Sequence, residues 1–404
     1  MSEQKIIWPM LGFVSGFISL CVYSFSRVDL NLTLFNFPFY LNFQSLMTEF
    51  GYYQRGWASL IYGLLIIVVF VSYLKLVRSC EPKFTKKLLW LLILGILAYP
   101  MFSYDIFNYI FNAKMVWVYQ ANPHVQTASQ FSQDLWLRFM HNIHTPAPYA
   151  YGWTLISLIP GILTLTNNLK ISLWGMKLFI AFFWLGQLWI LAKLIKKYFP
   201  SGKENWRWFL FVLNPLVLME TLIIGHNDVV MMFWVLVSLW FLLKAKKYAS
   251  KDFLASLVFL GISTSIKYAT IILLPLYFIK LLPDVVSSSL KTKGRFLMKA
   301  IKNFDFFFWG AIFLVLVMFT RLDQLHSWYL IWGFSLVVLS KSRWLIALFT
   351  ALAFGALLRY MPYIFYGTWD PPVYLLRNVI WLGVGLILVL PILGIINNFS
   401  EKNS

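Results

Sequence analysis

The sequence is short of charge and of cysteine. Only 12% of its 404 residues are Asp, Glu, Lys or Arg, whereas soluble globular domains carry about 25%. Its two cysteines, Cys21 and Cys80, are too few for a disulfide framework. These shortages exclude an ordinary soluble globule and a small secreted domain stabilised by disulfides.

Several sequence motifs of catalysis are also missing. The chain has no glycine-rich phosphate loop, no ATP-binding motif and no recognisable nucleophilic triad. The HEXXH and CXXC spacings of common zinc sites do not occur either. Any energy-rich donor substrate is therefore expected to reach this protein from within a membrane.

Apolar residues dominate the chain, which is 60% hydrophobic and 19% aromatic. Apolar stretches of about 17–25 residues recur from end to end, and each is long enough to cross a bilayer as an α-helix. We predict an all-α, polytopic transmembrane protein with about 12–13 spans in a single domain, residues 1–404. No small-residue cleavage site follows the first stretch, which is predicted to be a retained span.

The basic residues predict the orientation of the chain. Of the 34 Lys and Arg residues behind the net charge of +19, 20 fall in four short loops, Lys75–Lys87, Lys193–Arg207, Lys244–Lys251 and Lys280–Lys302. Such loops are typical of the cytoplasmic side, where they contact anionic lipid. We therefore expect a multi-pass protein of the cell or inner membrane, with membrane lipid rather than nucleic acid as its charged partner.

Threading the chain with its N-terminus inside gives a topology with a long outer loop at 104–149. Residues 150–172 are predicted to form a short hairpin that enters and leaves on the outer face, broken at Pro160-Gly161. The predicted spans are 7–26, 57–77, 88–103, 173–195, 206–224, 229–244, 253–266, 268–283 and, in the C-terminal part 304–396, 304–320, 329–340, 344–358 and 375–396.

This topology gathers the chemistry-capable side chains on the outer side. Lys267 falls at the outer tip of a hairpin between two short apolar runs. The outer groups also include all five histidines and five aspartates, namely His124, His141, His144, His226, His326, Asp105, Asp134, Asp228, Asp323 and Asp370. The asymmetry predicts an active site that faces away from the cytoplasm.

The stretch SYDIFNYIFNAKMVW has helical periodicity. Asp105, Asn108, Tyr109 and Asn112 are spaced to share one helix face, and apolar residues share the other. This pattern predicts a helix lying flat at the membrane interface, with Lys114 snorkelling from the apolar side. Asp105 is either the cap of this helix or a functional carboxylate whose pKa burial should raise.

The stretch LNPLVLMETLIIGHNDVV places Glu220 inside an apolar helix, where an ionisable group is costly and predicts function. The alternative for Glu220 is a buried hydrogen bond to a neighbouring span. His226 and Asp228 follow at the helix mouth, either as site residues or as a polar helix end. Asn214-Pro215 is predicted to kink or start this helix.

The stretch RLDQLHSWYLIW crowds polar and aromatic residues at the start of a span. Because cations are scarce on the outer side, Arg321 and His326 are interpreted as functional, whereas Trp328 and Trp332 are assigned to an interfacial aromatic belt. Lys267 either snorkels or binds a phosphate as a point charge. Arg359 and Arg377, which bracket the last outer loop, are weaker candidates.

Taken in order, four blocks resemble the GT-C superfamily of integral-membrane glycosyltransferases that use polyprenyl-phosphate sugars. The likeness is closest to polyprenol-phosphate-mannose-dependent mannosyltransferases and to the catalytic subunit of GPI mannosyltransferase I. The blocks are SYDIFNYIFNAKMVWVYQANPH, PYAYGWTLISLIP, LNPLVLMETLIIGHND, and ISTSIKYATIILLP with HSWYLIW. Gln120, His124 and Trp153 depart from the family pattern, in which Gly, Tyr and Pro are expected.

The resemblance implies inverting transfer of a hexose, expected to be mannose, from polyprenyl phosphate to a hydroxyl of a lipid- or glycan-linked acceptor. It implies Asp105 as the general base or acceptor-orienting carboxylate, and Lys267, Arg321 and His326 as ligands of the donor phosphate. No cofactor is required, although Asp105 and Asp228 allow a divalent metal. The expected sugar- and acceptor-binding residues are Asn108, Tyr109, Asn122, His124, Tyr151, Glu220, His226, Asn227, Asp228 and Tyr329.

Two other functions are compatible with the sequence. A multi-span transporter or flippase would explain the number of spans and Glu220, but transporters place their polar groups near the midplane rather than at one mouth. A non-catalytic subunit of a two-component transferase would carry the same motifs. Activity of the purified chain alone distinguishes the enzyme from both alternatives.

Overall fold

The computed structural model describes residues 4–79, 82–202, 204–286, 304–320 and 325–401, so Arg321 and Asp323 lie outside the described residues. The described part of the chain is mainly helical and contains no strand. The prediction of an all-α polytopic membrane protein is confirmed. Its helices are α1 (Gln4–Ser24), α2 (Pro38–Thr48), α3 (Arg55–Ser79), α4 (Pro82–Ile93), α5 (Asp105–Trp117), α6 (Tyr151–Gly161), α7 (Leu169–Tyr198), α8 (Trp206–Val212), α9 (Pro215–Leu218), α10 (Asp228–Leu242), α11 (Lys251–Ile266), α12 (Leu274–Val286), α13 (Phe306–Phe319), α14 (Leu330–Val337), α15 (Arg343–Leu358), α16 (Met361–Tyr366) and α17 (Val373–Glu401).

Some of these helices are long enough to cross a membrane and others are short. In the described residues, five apolar segments have the length and composition of a full span: Ile6–Arg27, Arg55–Arg78, Leu169–Tyr198, Arg343–Tyr366 and Val373–Phe399. The bent pair Trp206–Val212 and Pro215–Ile224 makes a sixth if it counts as one span. The shorter apolar helices are Leu88–Leu97, Tyr151–Thr166, Asp228–Leu242, Tyr268–Leu282, Phe306–Phe319 and Ser327–Val337.

The helix bundle has two chemically different ends. At one end, which we call the basic end, the ammonium groups of Lys193, Lys197 and Lys244 lie within 6 Å of the Trp240 ring. The opposite end, which we call the site end, carries Asp105, His226 and Lys267. Because α7 runs from Leu169 to Tyr198, it joins the site end to the basic end.

The break at Asn214-Pro215 is present as predicted. The Asn214 side chain accepts hydrogen bonds from the backbone N–H groups of Leu216 and Val217, and Pro215 occupies the first position of α9. The two halves of this span meet at an angle of 41°. The second half continues as a π-helix, Met219–Ile224, and ends at Gly225, whose φ of 90° favours glycine.

The helix α5 forms as the sequence predicts, but the expectation that its polar face is exposed is wrong. Side chains on both of its faces are buried, including the polar face of Asn108, Tyr109 and Asn112. The helix packs against α6 and the 3₁₀ turn that follows α6, Ile162–Thr166. Its polar face therefore lies within the protein rather than against water.

Two further expectations for this region are also wrong. Lys114 does not snorkel, because its ammonium group lies 2.6 Å from the Asp134 carboxylate and 3.7 Å from the centre of the Trp136 ring, in a buried environment. The predicted hairpin at 150–172 is one short helical segment, Tyr151–Thr166. At Gly161 this segment changes from α- to 3₁₀-helix rather than reversing direction, and a left-handed residue, Asn167, then leads into α7.

Candidate active site

A row of three ionisable side chains joins two parts of the chain at the site end. Asp105 begins α5, and its Oδ2 lies 3.5 Å from Nδ1 of His226. Nε2 of the same imidazole lies 3.3 Å from Oε2 of Glu220. These are ion-pair distances, since neither ring nitrogen has a well-aligned hydrogen bond among the described residues. The His226 and Glu220 side chains are fully buried, whereas 24% of the Asp105 side chain is exposed.

Glu220 is held in place by two hydroxyl groups. Ser327 donates a hydrogen bond of 2.8 Å to Glu220 Oε1, and Tyr360 donates one of 3.0 Å to the same oxygen. The two hydroxyl oxygens are 2.6 Å apart. The alternative that Glu220 makes a buried hydrogen bond to a neighbouring segment is thus correct, and the carboxylate also faces His226.

A second charged pair lies beside this row. The Lys267 ammonium group donates to both carboxylate oxygens of Asp228 at 2.8 Å, and the Trp332 indole N–H donates to one of them. Asp228 is fully buried, while 16% of the Lys267 side chain is exposed. His226 therefore faces Asp105 in the row, and Asp228, two residues further along, binds Lys267 in the second pair.

Trp328 and Trp332 do not form the aromatic belt that the sequence suggested. The Trp328 ring lies between two imidazoles, at 3.9 Å from the His226 ring and 4.2 Å from the His326 ring, nearly parallel to both. Trp332 contacts Asp228, as described above, and packs 4.4 Å from the Tyr329 ring. Both tryptophans belong to the walls of the site because the segment from 325 onward folds back over the Gly225 turn.

The pKa of Asp105 changes in the direction opposite to the one expected from burial alone. Burial raises the pKa of this carboxyl, but the adjacent His226 ring and the Lys267 charge outweigh it and lower the pKa to about 2. For His226, burial lowers the pKa, and the Asp105 and Glu220 carboxylates outweigh burial and raise it to about 9. The pair is therefore a carboxylate and an imidazolium at neutral pH.

His326 has the opposite protonation. Burial and the nearby positive charge of Arg359 lower the pKa of His326 to about 3, so its imidazole is neutral at neutral pH. Arg359 is buried, and its guanidinium lies 4.9 Å from the centre of the Trp381 ring. Two stacked histidines on either side of Trp328 thus carry different charges.

Several buried amides and hydroxyls at the site have no partner among the described residues. Neither side-chain polar atom of Asn227 has a hydrogen bond, and Asn108 and the Tyr149 hydroxyl, which lie beside each other and near Asp105, form none of good geometry. The Tyr109 ring packs edge-on against Tyr149 at 4.9 Å, and its hydroxyl accepts a hydrogen bond from the Asn227 backbone N–H. Unpaired buried polar groups are costly, and they are expected to find partners in a polar ligand.

The remaining predicted acceptor residues form a separate group around the start of α6. The His124 ring stacks on Tyr151 at 3.8 Å, and its Nε2 lies 2.8 Å from the Thr154 hydroxyl. The Asn122 side chain accepts a hydrogen bond from the His124 backbone N–H. The structure gives no contact between this group and Asp105 or His226.

Sequence analysis did not identify several residues of the site. Ser327, Tyr360 and Tyr149 are hydroxyl residues in apolar or aromatic surroundings, and no local pattern distinguishes them from other serines and tyrosines. Ser327 and Tyr360 contact Glu220, and Tyr149 contacts Tyr109, although the partners lie far apart in the chain. Among the described residues, no group of three or more His, Cys, Asp or Glu is arranged to hold a metal ion.

Comparison with known proteins decides the family. The family model for MptA_B_family, described as Alpha-(1->6)-mannopyranosyltransferase, N-terminal domain, matches residues 33–282, which is more than half of the chain. The chain belongs to this mannosyltransferase family. No curated protein and no solved structure matches it. The matched region of this family member contains Asp105, Glu220, His226 and Lys267, so the charged site described above lies within the transferase domain.

Proposed function

We propose that this membrane mannosyltransferase takes mannose from a polyprenyl-phosphate donor and transfers it, with inversion, to a hydroxyl of a lipid- or glycan-linked acceptor. The observation that carries the proposal is the row of Asp105, His226 and Glu220. Its two inner members are fully buried, and Asp105 is the member with accessible surface. A carboxylate fixed from behind and open in front is suited to binding one hydroxyl group.

In the proposed reaction, the acceptor oxygen attacks the anomeric carbon of mannose while the bond from that carbon to the phosphate oxygen breaks. The electron pair of that bond stays on polyprenyl phosphate, and the acceptor proton passes to Asp105. A carboxylate with a pKa near 2 is a weak base, so Asp105 chiefly orients the acceptor hydroxyl and takes its proton late, when bond formation has made it acidic. His226 and Glu220 act as positioning residues for Asp105.

The unpaired amides beside Asp105 support the assignment of a sugar site. Asn227, and Asn108 beside the Tyr149 hydroxyl, present donors and acceptors that make no well-aligned hydrogen bond to a described residue, and these match the hydroxyl groups of a hexose. Trp328 and Tyr329 add aromatic surfaces next to them. His124 and Tyr151, in the separate group around the start of α6, remain proposed contacts of the acceptor.

For the leaving phosphate, the proposed ligands are Lys267 and His326, with Arg321 in the segment outside the described residues. Lys267 keeps one ammonium face exposed while Asp228 binds the other. The positive-inside distribution supports a site on the non-cytoplasmic face, since the basic end of the bundle is the opposite end. The family description suggests an α-(1→6) product, and an inverting enzyme would then require a β-linked donor.

The experiment is transfer by the purified protein, using β-linked polyprenyl-phosphate mannose with a labelled sugar and membrane lipids as acceptors. Asp105→Asn is expected to lower the rate by at least a hundredfold while the protein still folds, which the Tm in detergent checks. Asp370→Asn, at an exposed carboxylate beside Thr368, is the matched control and should keep full activity. Near-normal turnover by Asp105→Asn would disprove the assignment of Asp105.

A further inference from the structure

A small cavity opens beside the active site, at the residues that precede Asp105. It has a volume of about 30 Å³, and a single water needs about 10–15 Å³ on the same measure. The space therefore suits a group the size of a phosphate rather than a sugar ring. The walls include two arginines and four tyrosines, Arg27, Arg55, Tyr52, Tyr99, Tyr104 and Tyr363.

Arg27 is a buried cation that forms no ion pair with a described carboxylate, and its neighbours are the Tyr23 hydroxyl and the Tyr52 ring. Only 7% of its surface is exposed, and its Nε and Nη2 atoms have no hydrogen-bond partner among the described residues. None of the ion pairs formed by the described residues involves Arg27 or Arg55. Burying a charge without a counter-ion costs roughly several kcal/mol. A buried arginine without an ion pair is therefore expected where an anion binds beside it.

Arg55 contributes a second guanidinium held at a fixed angle. It donates 2.9 Å and 2.7 Å hydrogen bonds to the backbone carbonyls of Tyr52 and Tyr366, which position it without neutralising its charge. Asp29, two residues from Arg27, accepts hydrogen bonds from the backbone and side chain of Asn31, and its charge also acts on the cavity-wall residues Tyr52, Tyr99 and Tyr104. The two guanidinium groups outnumber this one carboxylate. The cavity is therefore positive, and planar guanidinium groups match the geometry of phosphate oxygens.

The position of the two arginines also points to a lipid-borne anion. Arg27 ends the first span, Ile6–Arg27, and Arg55 begins the second, Arg55–Arg78. Both thus lie at the site end, where a lipid headgroup meets the ends of the helices. Tyr104 connects the cavity to the active site, because the next residue along the chain is Asp105.

The groups proposed above for the donor phosphate offer less net charge than this cavity. The Lys267 charge is balanced by the Asp228 carboxylate, and the His326 imidazole is neutral at neutral pH. We infer that Arg27 and Arg55, in place of Lys267 and His326, bind the phosphate of a lipid-linked sugar donor and hold it beside Asp105. The inference rests on the proposed function for the identity of the lipid.

The test is equilibrium binding of polyprenyl phosphate to the full chain in detergent, measured by native mass spectrometry and by the rise in Tm on binding. Arg27→Gln is expected to weaken binding by about ten- to a hundredfold, the loss typical of one charged hydrogen-bond donor. The affinity of the Arg27→Lys variant should lie between those of wild type and Arg27→Gln, because lysine keeps the charge but lacks the planar guanidinium. Lys170→Gln, which removes a cation at the start of α7, is the matched control and should bind normally.

The stability of the ligand-free protein separates a binding role from a structural one. A buried cation without a counter-charge is a net cost to the empty protein, so Arg27→Gln, which keeps a polar group beside Tyr23, should leave its Tm unchanged or higher. It should also remove the rise in Tm that polyprenyl phosphate produces. A lower Tm for the empty variant, together with unchanged lipid affinity, would overturn the inference.

Three further ligands identify the source of the anion. Uncharged polyprenol should bind without dependence on Arg27, and inorganic phosphate should compete weakly. If phosphatidylglycerol bound as tightly as polyprenyl phosphate, the cavity would be a general headgroup site and the donor assignment would be wrong. Because binding is measured without transfer, Arg27-dependent binding in a chain that transfers no sugar would reject the proposed function and leave this site standing.

Discussion

The ionisable residues of this apolar chain have similar sequence surroundings but different partners. Glu220 is bound by two hydroxyls and faces an imidazole, whereas Asp228 is bound by an ammonium group and an indole. The sequence pattern identified both as unusual. It did not reveal their partners, since Ser327, Tyr360 and Trp332 lie more than a hundred residues further along the chain.

The Tyr360 hydroxyl is expected to stabilise the buried Glu220 carboxylate. Tyr360→Phe removes one hydrogen bond to a charged group, and we expect it to lower the free energy of unfolding by about 1.5–3 kcal/mol. The measurement is the Tm or denaturant midpoint in detergent. Tyr366→Phe, in the same segment but largely exposed, is the control and should change neither. Equal effects of the two substitutions would show that Glu220 does not depend on Tyr360.

The Asp105–His226 pair predicts a stability that depends on pH. The pKa of His226 rises from 6.5 to about 9 on folding, so its contribution is complete below pH 6.5 and is lost as the pH rises through about 9. The pKa of Asp105 falls from 3.8 to about 2, so its contribution is complete above pH 3.8 and is lost only as the pH falls through about 2. The pair should stabilise most between these limits.

The corresponding measurement compares the Tm of wild type and His226→Gln across pH. The difference between them is expected to be largest from pH 4 to 6.5 and to shrink as the pH approaches 9. A difference that grows between pH 7 and pH 9 would mean that His226 is neutral in the folded protein. The pKa shift would then have the wrong sign.

At the scale of elements, α5 shows why helical periodicity alone gave the wrong environment for the polar face of a helix. A polar stripe predicts a face exposed to water or headgroups, but the same stripe occurs where a helix packs against other polar side chains. In this protein Asn108 and Tyr109 are buried, and the Tyr109 ring packs 4.8 Å from the Trp153 ring of α6. Periodicity shows which side chains share a face and leaves open what that face meets.

The contact between α5 and α6 is close enough to exclude one methyl group. A Cβ on Gly161 would lie 2.4 Å from the Ala113 Cβ, so Gly161→Ala must separate the two helices. We expect a loss of about 1–3 kcal/mol in stability and reduced activity, because α5 carries Asp105. In Gly261→Ala, the matched control, a Cβ meets nothing within 4 Å, and the variant should be as stable as wild type or slightly more so. Loss of stability in the control alone would contradict this account.

The Lys114–Asp134 pair is expected to anchor the segment that follows α5. Both side chains are about 95% buried, so Lys114→Met or Asp134→Asn alone leaves a buried charge and should cost about 3–5 kcal/mol. The double variant should recover part of that loss, as a double-mutant cycle measures. Additive effects of the two substitutions would show that the ion pair does not contribute.

For the whole molecule, the positions of Lys and Arg in the sequence were a better guide to which groups share one end of the bundle than the lengths of the apolar stretches were. Clustered Lys and Arg residues correctly placed the basic groups at one end of the bundle, away from Asp105 and the histidines of the site. The lengths were less informative because several apolar helices are short. A helix such as Asp228–Leu242 is buried among other helices and needs no full bilayer length of its own.

The proposed orientation can be tested by cysteine labelling. In a chain with Cys21→Ser and Cys80→Ser, Gln133→Cys places a thiol on the exposed segment after α5, and Lys247→Cys places one at the basic end. A membrane-impermeant maleimide should label the Gln133→Cys variant in right-side-out vesicles, and the Lys247→Cys variant only after permeabilisation. The reverse pattern would put the active site on the cytoplasmic side.

The fold class, the kinked span at Pro215 and the hairpin around Lys267 were predictable, because each depends on local periodicity or on proline. Asp105, Glu220, His226 and Lys267, which lie close together in the structure, were also singled out from the sequence, and their role in a site stays a prediction. The pKa shift of Asp105 was not predictable, since its sign depends on a neighbour 121 residues away. Arg27 and Arg55 were missed because an arginine at the end of a span looks like an ordinary boundary residue.

The π-helix Met219–Ile224 gives the site a particular dependence on chain length. A π-turn holds one residue more than an α-turn, and each residue of an α-helix turns the chain by about 100°. Deleting one residue from this segment would let it relax into a regular α-helix, which leaves the flanking turns in register but changes the position of Glu220 relative to Gly225 and His226. The π-helix thus contains one residue more than an α-helix of the same length would need. Homologous chains should keep or lose that residue together with the site.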